Sequence, residues 1–340
     1  MGGEVLATGA PVALTTVVFA AGATVSLVAS AVLVTRLERV GGMLGLSEAM
    51  LGMTAALAAN APEITSATTA LARGEHTIGV GVVLGSNVFN LAALLGLSAL
   101  IAGRIPLHRR VILLAGTIAM WLAVVSVATV AGVPPVAGLL LALVVFVPYV
   151  VLSAISLVTM ARLPLPWRVI RWIHRAIVEE ESELLEAINP EPGDRRDVLL
   201  AAAALVVVIV ASIAMERSAS SLGAHFGLSQ IVVGGVVLAA VTSLPNAVAA
   251  VYLGMRGRGS AVLSEAMNSN NLNVVLGLLV PGAILGLGHV GSPEYVAAAW
   301  YAGLTLVALL MAFAGSGLRR SSGTVIVVGY AAFVLAVVIR

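Results

Sequence analysis

The sequence predicts an all-α polytopic membrane protein of ten transmembrane helices in two inverted five-helix repeats. Three observations predict it. The 340 residues are 60% hydrophobic and only 10% charged, with a mean hydropathy of +1.09; a soluble domain carries about 25% charged residues. Fifteen of the eighteen arginines fall in alternate loops between apolar runs. A pair of polar motifs lies inside these runs and occurs twice, with Pro62 to Asn90 and Pro245 to Asn273 both 28 residues apart.

A bilayer core takes about 20 apolar residues per helix. Apolar runs between charges and Gly/Pro breaks lie near 12–35, 46–72, 77–102, 110–131 and 134–160, then near 198–216, 228–254, 260–288, 294–314 and 323–340. This divides the chain into a first repeat at 1–160, a polar segment at 161–197 and a second repeat at 198–340. Met1-Gly2-Gly3-Glu4 lacks the basic region of a secretory signal, so the first apolar run is predicted to be a retained span.

Every basic residue other than histidine is arginine. Arg36, Arg39, Arg104, Arg109 and Arg110, the six arginines of 161–197, and Arg256, Arg258, Arg319 and Arg320 share one predicted side, against Arg73, Arg217 and Arg340 on the other. Positive residues stay cytoplasmic. The chain is therefore expected in the plasma (inner) membrane of a prokaryote, with both termini outside and 161–197 inside. The basic pI of 9.4 is thus topological. No basic stripe interleaved with aromatics supports nucleic-acid binding, and the absence of cysteine excludes disulfides and thiolate metal sites.

The two copies are offset by 183 residues, at Pro62 and Pro245 and at Arg73 and Arg256. Five spans separate them, so they enter the membrane from opposite sides. Such inverted repeats build secondary transporters, with substrate at the midplane where broken helices meet. Within 161–197, Trp167, Ile170, Ile173 and Ile177 interleave with Arg168, Arg171, His174 and Arg175. This predicts an interfacial amphipathic helix, followed by a solvated acidic turn at Glu179-Glu180-Glu181-Ser182-Glu183. No EF-hand-like ligand loop is present.

The chemistry lies in four short stretches: Ala58-Ala59-Asn60-Ala61-Pro62-Glu63, Gly85-Ser86-Asn87-Val88-Phe89-Asn90, Val241-Thr242-Ser243-Leu244-Pro245-Asn246 and Asn268-Ser269-Asn270-Asn271-Leu272-Asn273. A carboxylate in mid-span costs at least about 2.5–3.5 kcal/mol, so Glu63 needs a partner, a cation or a proton. Pro62 donates no backbone hydrogen bond and clashes with the carbonyl of Ala58. The helix is expected to kink there and free carbonyl oxygens towards a cavity. Asn60 shares a face with Glu63, as Ser86 does with Asn90, Thr242 with Asn246, and Ser269 with Asn273. Carboxylate, amide, hydroxyl and carbonyl oxygens together suit a hard cation such as Na+ or Ca2+. Packing of helices by the same polar groups is the competing explanation for each one alone.

In these motifs the chain resembles the cation/calcium exchanger superfamily, including the sodium/calcium exchangers. That family's repeats read Gly-Thr-Ser-x-Pro-Glu in the second and seventh spans and Gly-Ser-Asn-x-x-Asn/Asp in the third and eighth. Gly85-Ser86-Asn87-Val88-Phe89-Asn90 matches fully, and Thr242-Ser243-Leu244-Pro245 matches up to the acidic position. The resemblance implies a sodium/calcium exchanger-like fold and cation coordination by Glu63, Ser86, Asn90, Thr242, Ser243, Ser269 and Asn273, with the backbone carbonyls of Ala56 and Ala239. Asn60 and Asn246 complete the candidate set.

The chain also departs from the family pattern. Ala59-Asn60 replaces the first Thr-Ser, Asn246 the second glutamate, and Asn273 an aspartate. One carboxylate remains in the motifs and leaves a bound Ca2+ poorly compensated in a low dielectric. Any proton coupling runs through Glu63, and Glu48 and Glu265 are expected at the mouths. The expected activity is antiport of Ca2+ against Na+ or H+, with a monovalent cation/H+ exchanger as the alternative. The expected partners are inorganic cations and the lipid bilayer, without nucleic acid or cofactor, and the oligomeric state, a monomer or a larger assembly, is left open by the sequence. An intramembrane enzyme finds no support, because all five histidines fall in loops or span ends and no His-Glu-x-x-His occurs. The duplicated motifs argue for rocking rather than a fixed channel pore.

Overall fold

The computed structural model of the chain describes residues 12–46, 48–185 and 193–339, apart from the side chains at 48–49 and 180–185. The elements run α1 (Val12–Met43), α2 (Glu48–Ala59), α3 (Ala61–Ala72), α4 (His76–Ala102), β1 (Arg104–Pro106), α5 (Arg109–Val130), α6 (Pro135–Ala154) and α7 (Trp167–Leu185). Then follow α8 (Arg195–His225), α9 (Gln230–Thr242), α10 (Leu244–Met255), α11 (residues 259–285), α12 (Ser292–Gly315), β2 (Gly317–Arg319) and α13 (Arg320–Val338). Among the described residues seven helices are long and apolar enough to cross a membrane, and α9 with α10, bent by 49° at their junction, makes an eighth. The other two runs fall short for local reasons. Helices α2 and α3 have twelve residues each, and α11 carries the asparagines of its motif.

The helices outrun the apolar stretches that predict them. α1 continues through Arg36, Glu38 and Arg39 to Met43, and α8 ends at His225, because a charge ends a hydrocarbon run without ending a helix. α7 likewise continues through Glu179 to Leu185, so the predicted acidic turn is helical; the side chains of Glu180, Glu181 and Glu183 lie outside the described residues. The departure from an all-helical chain is a two-stranded antiparallel sheet that pairs Arg104 with Arg319 and Pro106 with Gly317.

Helices α4 and α11 form the centre and are buried along nearly their whole length. Their neighbours are α3, α5, α9 and α12, and α13 packs on the second half of α4. Small residues permit the closest crossing. A Cβ on Gly85 would collide with the backbone of Gly235, and one on Gly234 with that of Ile78. Without a hydrophobic drive between helices in lipid, such close backbone approach supplies the packing. α1 and α8 lie against each other through Gly22, Ser26, Ala29 and Leu33, at helical spacing. Ser26 and Ser212 share a hydrogen bond of 2.8 Å across that contact.

The arginine-bearing loops gather at one end of the bundle. Arg36 pairs with Asp197 at 2.8 Å, the amide of Gly193 donates to the carbonyl of Arg39, and Arg110 pairs with Glu179. β1 and β2 join the loops after α4 and α12. A hydrogen bond from Thr77 to Glu294 joins the starts of α4 and α12 at the opposite end.

Candidate cation site

Two helix breaks position the site. Asn60, between α2 and α3, has φ −85° and ψ −1°, and Ser243, between α9 and α10, has φ −88° and ψ 0°. A proline follows two residues later in each case, at Pro62 and Pro245, and these positions differ by the same 183 residues as the motifs. This sparsely populated backbone region recurs at functional sites. The junction at Ser243 is bent by 49°, and at both breaks helical backbone hydrogen bonds continue, so neither unwinds. The carbonyls of Ala56 and Ala239 accept from the amides of Asn60 and Ser243 at 2.9 and 3.2 Å; Ala56 keeps its second lone pair, whereas Ala239 also accepts from the Thr242 hydroxyl. The carbonyl that Pro62 deprives, on Ala58, accepts from the Ser30 hydroxyl at 3.1 Å. The expected free carbonyl at this break is therefore tied to α1.

The breaks bring the side chains of the two halves together in matched pairs. Ser243 donates to Glu63 Oε1 at 2.9 Å, and Asn246 donates to Asn60 Oδ1 at 2.9 Å. Asn60 also accepts from the Ser269 hydroxyl at 2.7 Å and donates to the Ser269 carbonyl at 3.0 Å. Ser269 Oγ in turn accepts from Asn90 at 3.1 Å and, more distantly, from Asn246 at 3.4 Å.

α4 and α11 meet through a reciprocal set. Asn87 donates to the carbonyl of Asn270 at 3.3 Å, and Asn270 to the carbonyl of Asn87 at 3.1 Å. Asn90 donates to Asn270 Oδ1 at 3.0 Å, and Asn273 to Asn87 Oδ1 at 3.2 Å. Directly after each motif the helix widens to π geometry, over Leu91–Leu97 and Asn273–Leu279. Such widened turns are frequent at functional sites.

The structure thus joins Asn60, Asn90, Asn246, Ser269 and Asn273 in one hydrogen-bonded network, with Glu63 and Ser243 paired beside it. Ser86 is fully buried on α4, and its hydroxyl has no hydrogen-bond partner among the described residues. The Thr242 hydroxyl donates to the carbonyls of Leu238 and Ala239 at 2.9 and 3.3 Å, so it serves its own helix and offers only lone pairs to a ligand. Asn87 and Asn270 were not among the candidates, although their 183-residue offset and place in the third motif position mark them. Glu265 lines a cavity beside the network, and the side chain of Glu48 lies outside the described residues.

Not every oxygen at this crossing is satisfied. Glu63 Oε2, Ser86 Oγ, Asn90 Oδ1 and Asn273 Oδ1 are buried without a hydrogen-bond partner among the described residues. No group of three His, Cys, Asp or Glu among the described residues is placed to hold a metal. A cation here would meet one carboxylate and otherwise neutral amide, hydroxyl and carbonyl oxygens.

A family model described as sodium/calcium exchanger protein matches residues 14–158 and 197–339. The putative antiporter CaxA of Alkalimonas amylolytica is 26% identical over 298 residues, covering 82% of this chain and 83% of the relative. The crystal structure of the H+/Ca2+ exchanger CAX superposes with a TM-score of 0.69 at 14% identity, covering 98% of this chain and 87% of that one. A structure of the sodium-calcium exchanger NCX_Mj gives a TM-score of 0.59 at 20% identity, covering 96% of this chain and 99% of that one. These superpositions establish a shared fold. With the family model matching most of both halves, the chain belongs to the sodium/calcium exchanger protein family, a family of membrane transporters and not of enzymes.

Proposed function

We propose that the chain is a secondary-active cation antiporter that exchanges Ca2+ against Na+ or H+ by alternating access, at a midplane site centred on Glu63. One observation carries this reading. Buried polar atoms are nearly always paired, yet the crossing of α3, α4 and α11 holds four unpaired oxygens, one from the carboxylate. Hard oxygens left without donors suit a hard cation. The proposed ligands are Glu63, Asn60, Ser86, Asn90, Thr242, Ser243, Asn246, Ser269 and Asn273. The names of the relatives, a putative antiporter and exchangers of Ca2+ with H+ or Na+, point the same way.

The proposed topology is ten spans in two inverted repeats, with both termini outside and 161–197 cytoplasmic. It is supported by the matched breaks at Asn60 and Ser243, by the family model matching each half separately and by the arginine-bearing loops gathered at one end. A buried Glu63 without cation or proton is unfavourable in the bilayer, so the site crosses between its outward and inward states only when occupied, which gives exchange and not leak. The small-residue contact of α1 with α8, largely exposed on its other faces, suits these two helices to slide past the core.

A monovalent alkali cation exchanged against H+ is the second reading, favoured by the single carboxylate at the centre. Purified protein in liposomes decides between them. Labelled Ca2+ is expected to accumulate against an outward Na+ or H+ gradient, and gradient-driven Na+ flux without Ca2+ flux selects the monovalent reading. Glu63→Gln is expected to abolish coupled exchange, and a fully active variant would refute the assigned centre.

A further inference from the structure

Beside the Glu63 network lies a cavity of about 330 Å³ between α1, α2, α10 and α11. Its wall is mainly alanine and other apolar residues, and its polar lining is Glu38, Glu265, Tyr252 and Asn246. Ala31, Val34 and Glu38 follow helical spacing along one face of α1. Arg36 and Arg39 lie on the other side of that helix and turn to Asp197 on α8, at 2.8 and 4.0 Å. Arg256 stacks over the ring of Tyr252 at 4.9 Å, and among the described residues no arginine lines the cavity. Among the described residues neither Glu38 nor Glu265 has a hydrogen bond or an ion pair.

Asn246 ties this cavity to the centre. It is 2% exposed, and its Nδ2 is held by Asn60 and Ser269. Among the described residues its Oδ1 accepts no hydrogen bond, and the side chain lines the cavity. Glu265 lies four residues before Ser269 on α11, about 6 Å along the helix and on the same face. Two carboxylates facing one cavity oppose each other's charge unless a cation or proton is shared. At about 30 Å³ per water, the space admits an ion with a first hydration shell. Carboxylate and amide oxygens with retained water are the coordination that divalent hard cations take.

We propose that Glu38 and Glu265 form a second cation site, which holds a partly hydrated divalent cation one helical turn from the Glu63 centre and hands it on past Asn246 Oδ1. Its role as an antechamber rests on the antiport reading of the centre, whereas its occupancy does not. It lies at the arginine-rich, predicted cytoplasmic end, and it adds the two carboxylates that the motifs lack.

The test is Mn2+ binding to the purified full-length protein, followed by electron paramagnetic resonance. In a Glu63→Gln background one bound Mn2+ is expected to persist. Its Kd is expected to rise at least tenfold on adding Glu38→Gln or Glu265→Gln, and to recover with Glu265→Asp, which restores the charge and controls for folding. Loss of all Mn2+ binding in Glu63→Gln alone, or an isotherm unmoved by both glutamine substitutions, overturns the site. Wild-type protein that carries neither Ca2+ nor Na+ flux while still binding Mn2+ through Glu38 and Glu265 defeats the antiport reading and upholds this site.

Discussion

Asn60 is the residue on which the two halves converge, and its removal is the sharpest test of the site's construction. The side chain makes three buried hydrogen bonds: it accepts from Asn246 and from the Ser269 hydroxyl, and it donates to the Ser269 carbonyl. Interhelical hydrogen bonds in membrane proteins average about 0.6 kcal/mol each, so Asn60→Ala is expected to cost about 2 kcal/mol. Asn246 would then keep only its 3.4 Å contact to Ser269. The measurement is a double-mutant cycle of Asn60→Ala with Asn246→Ala, read by reversible unfolding of the reconstituted protein. A coupling energy of about 0.6–1.7 kcal/mol is expected. Coupling below about 0.3 kcal/mol, the ordinary error of additivity, would mean that the pair does not hold the halves together and that the network reasoning fails.

Two other predictions follow from the same geometry. Asn246→Glu adds a second carboxylate to the motifs, and in transport assays the half-saturating Ca2+ concentration is expected to fall, with some loss of thermal stability because Asn60 Oδ1 loses one of its two donors. A Ca2+ dependence identical to wild type would remove the charge-deficit argument. Gly85→Ala drives a methyl into the backbone of Gly235. Overpacking of this kind costs about 1–3 kcal/mol or more, so a marked fall in melting temperature is expected, and a melt equal to wild type would disprove the close crossing of α4 and α9.

Much of this protein was legible in the order of its residues. Apolar run length located the long helices, because a bilayer demands about 20 apolar residues whatever the neighbours are. Proline located both breaks, because its missing N–H acts locally. The equal spacing of the two motif pairs is matched by reciprocal bonds between Asn87 and Asn270, which the reading of the sequence did not single out. Other features were not readable from local pattern. The sequence does not tell that the Thr242 hydroxyl donates to its own helix and so has only lone pairs to offer an ion. The carbonyl freed by Pro62 looked available to an ion, yet Ser30, twenty-eight residues earlier on another helix, takes it.

The sequence by itself therefore determined the membrane setting, the doubling of the motifs and the single carboxylate at their centre, since hydropathy, spacing and charge are properties of the chain alone. The tertiary structure decided which oxygens are already bonded and which remain unpaired, and it set Glu38 and Glu265 on one cavity from helices far apart in the chain. Hydrogen-bond satisfaction and the meeting of like charges depend on distances between helices, and those exist only once the helices are packed.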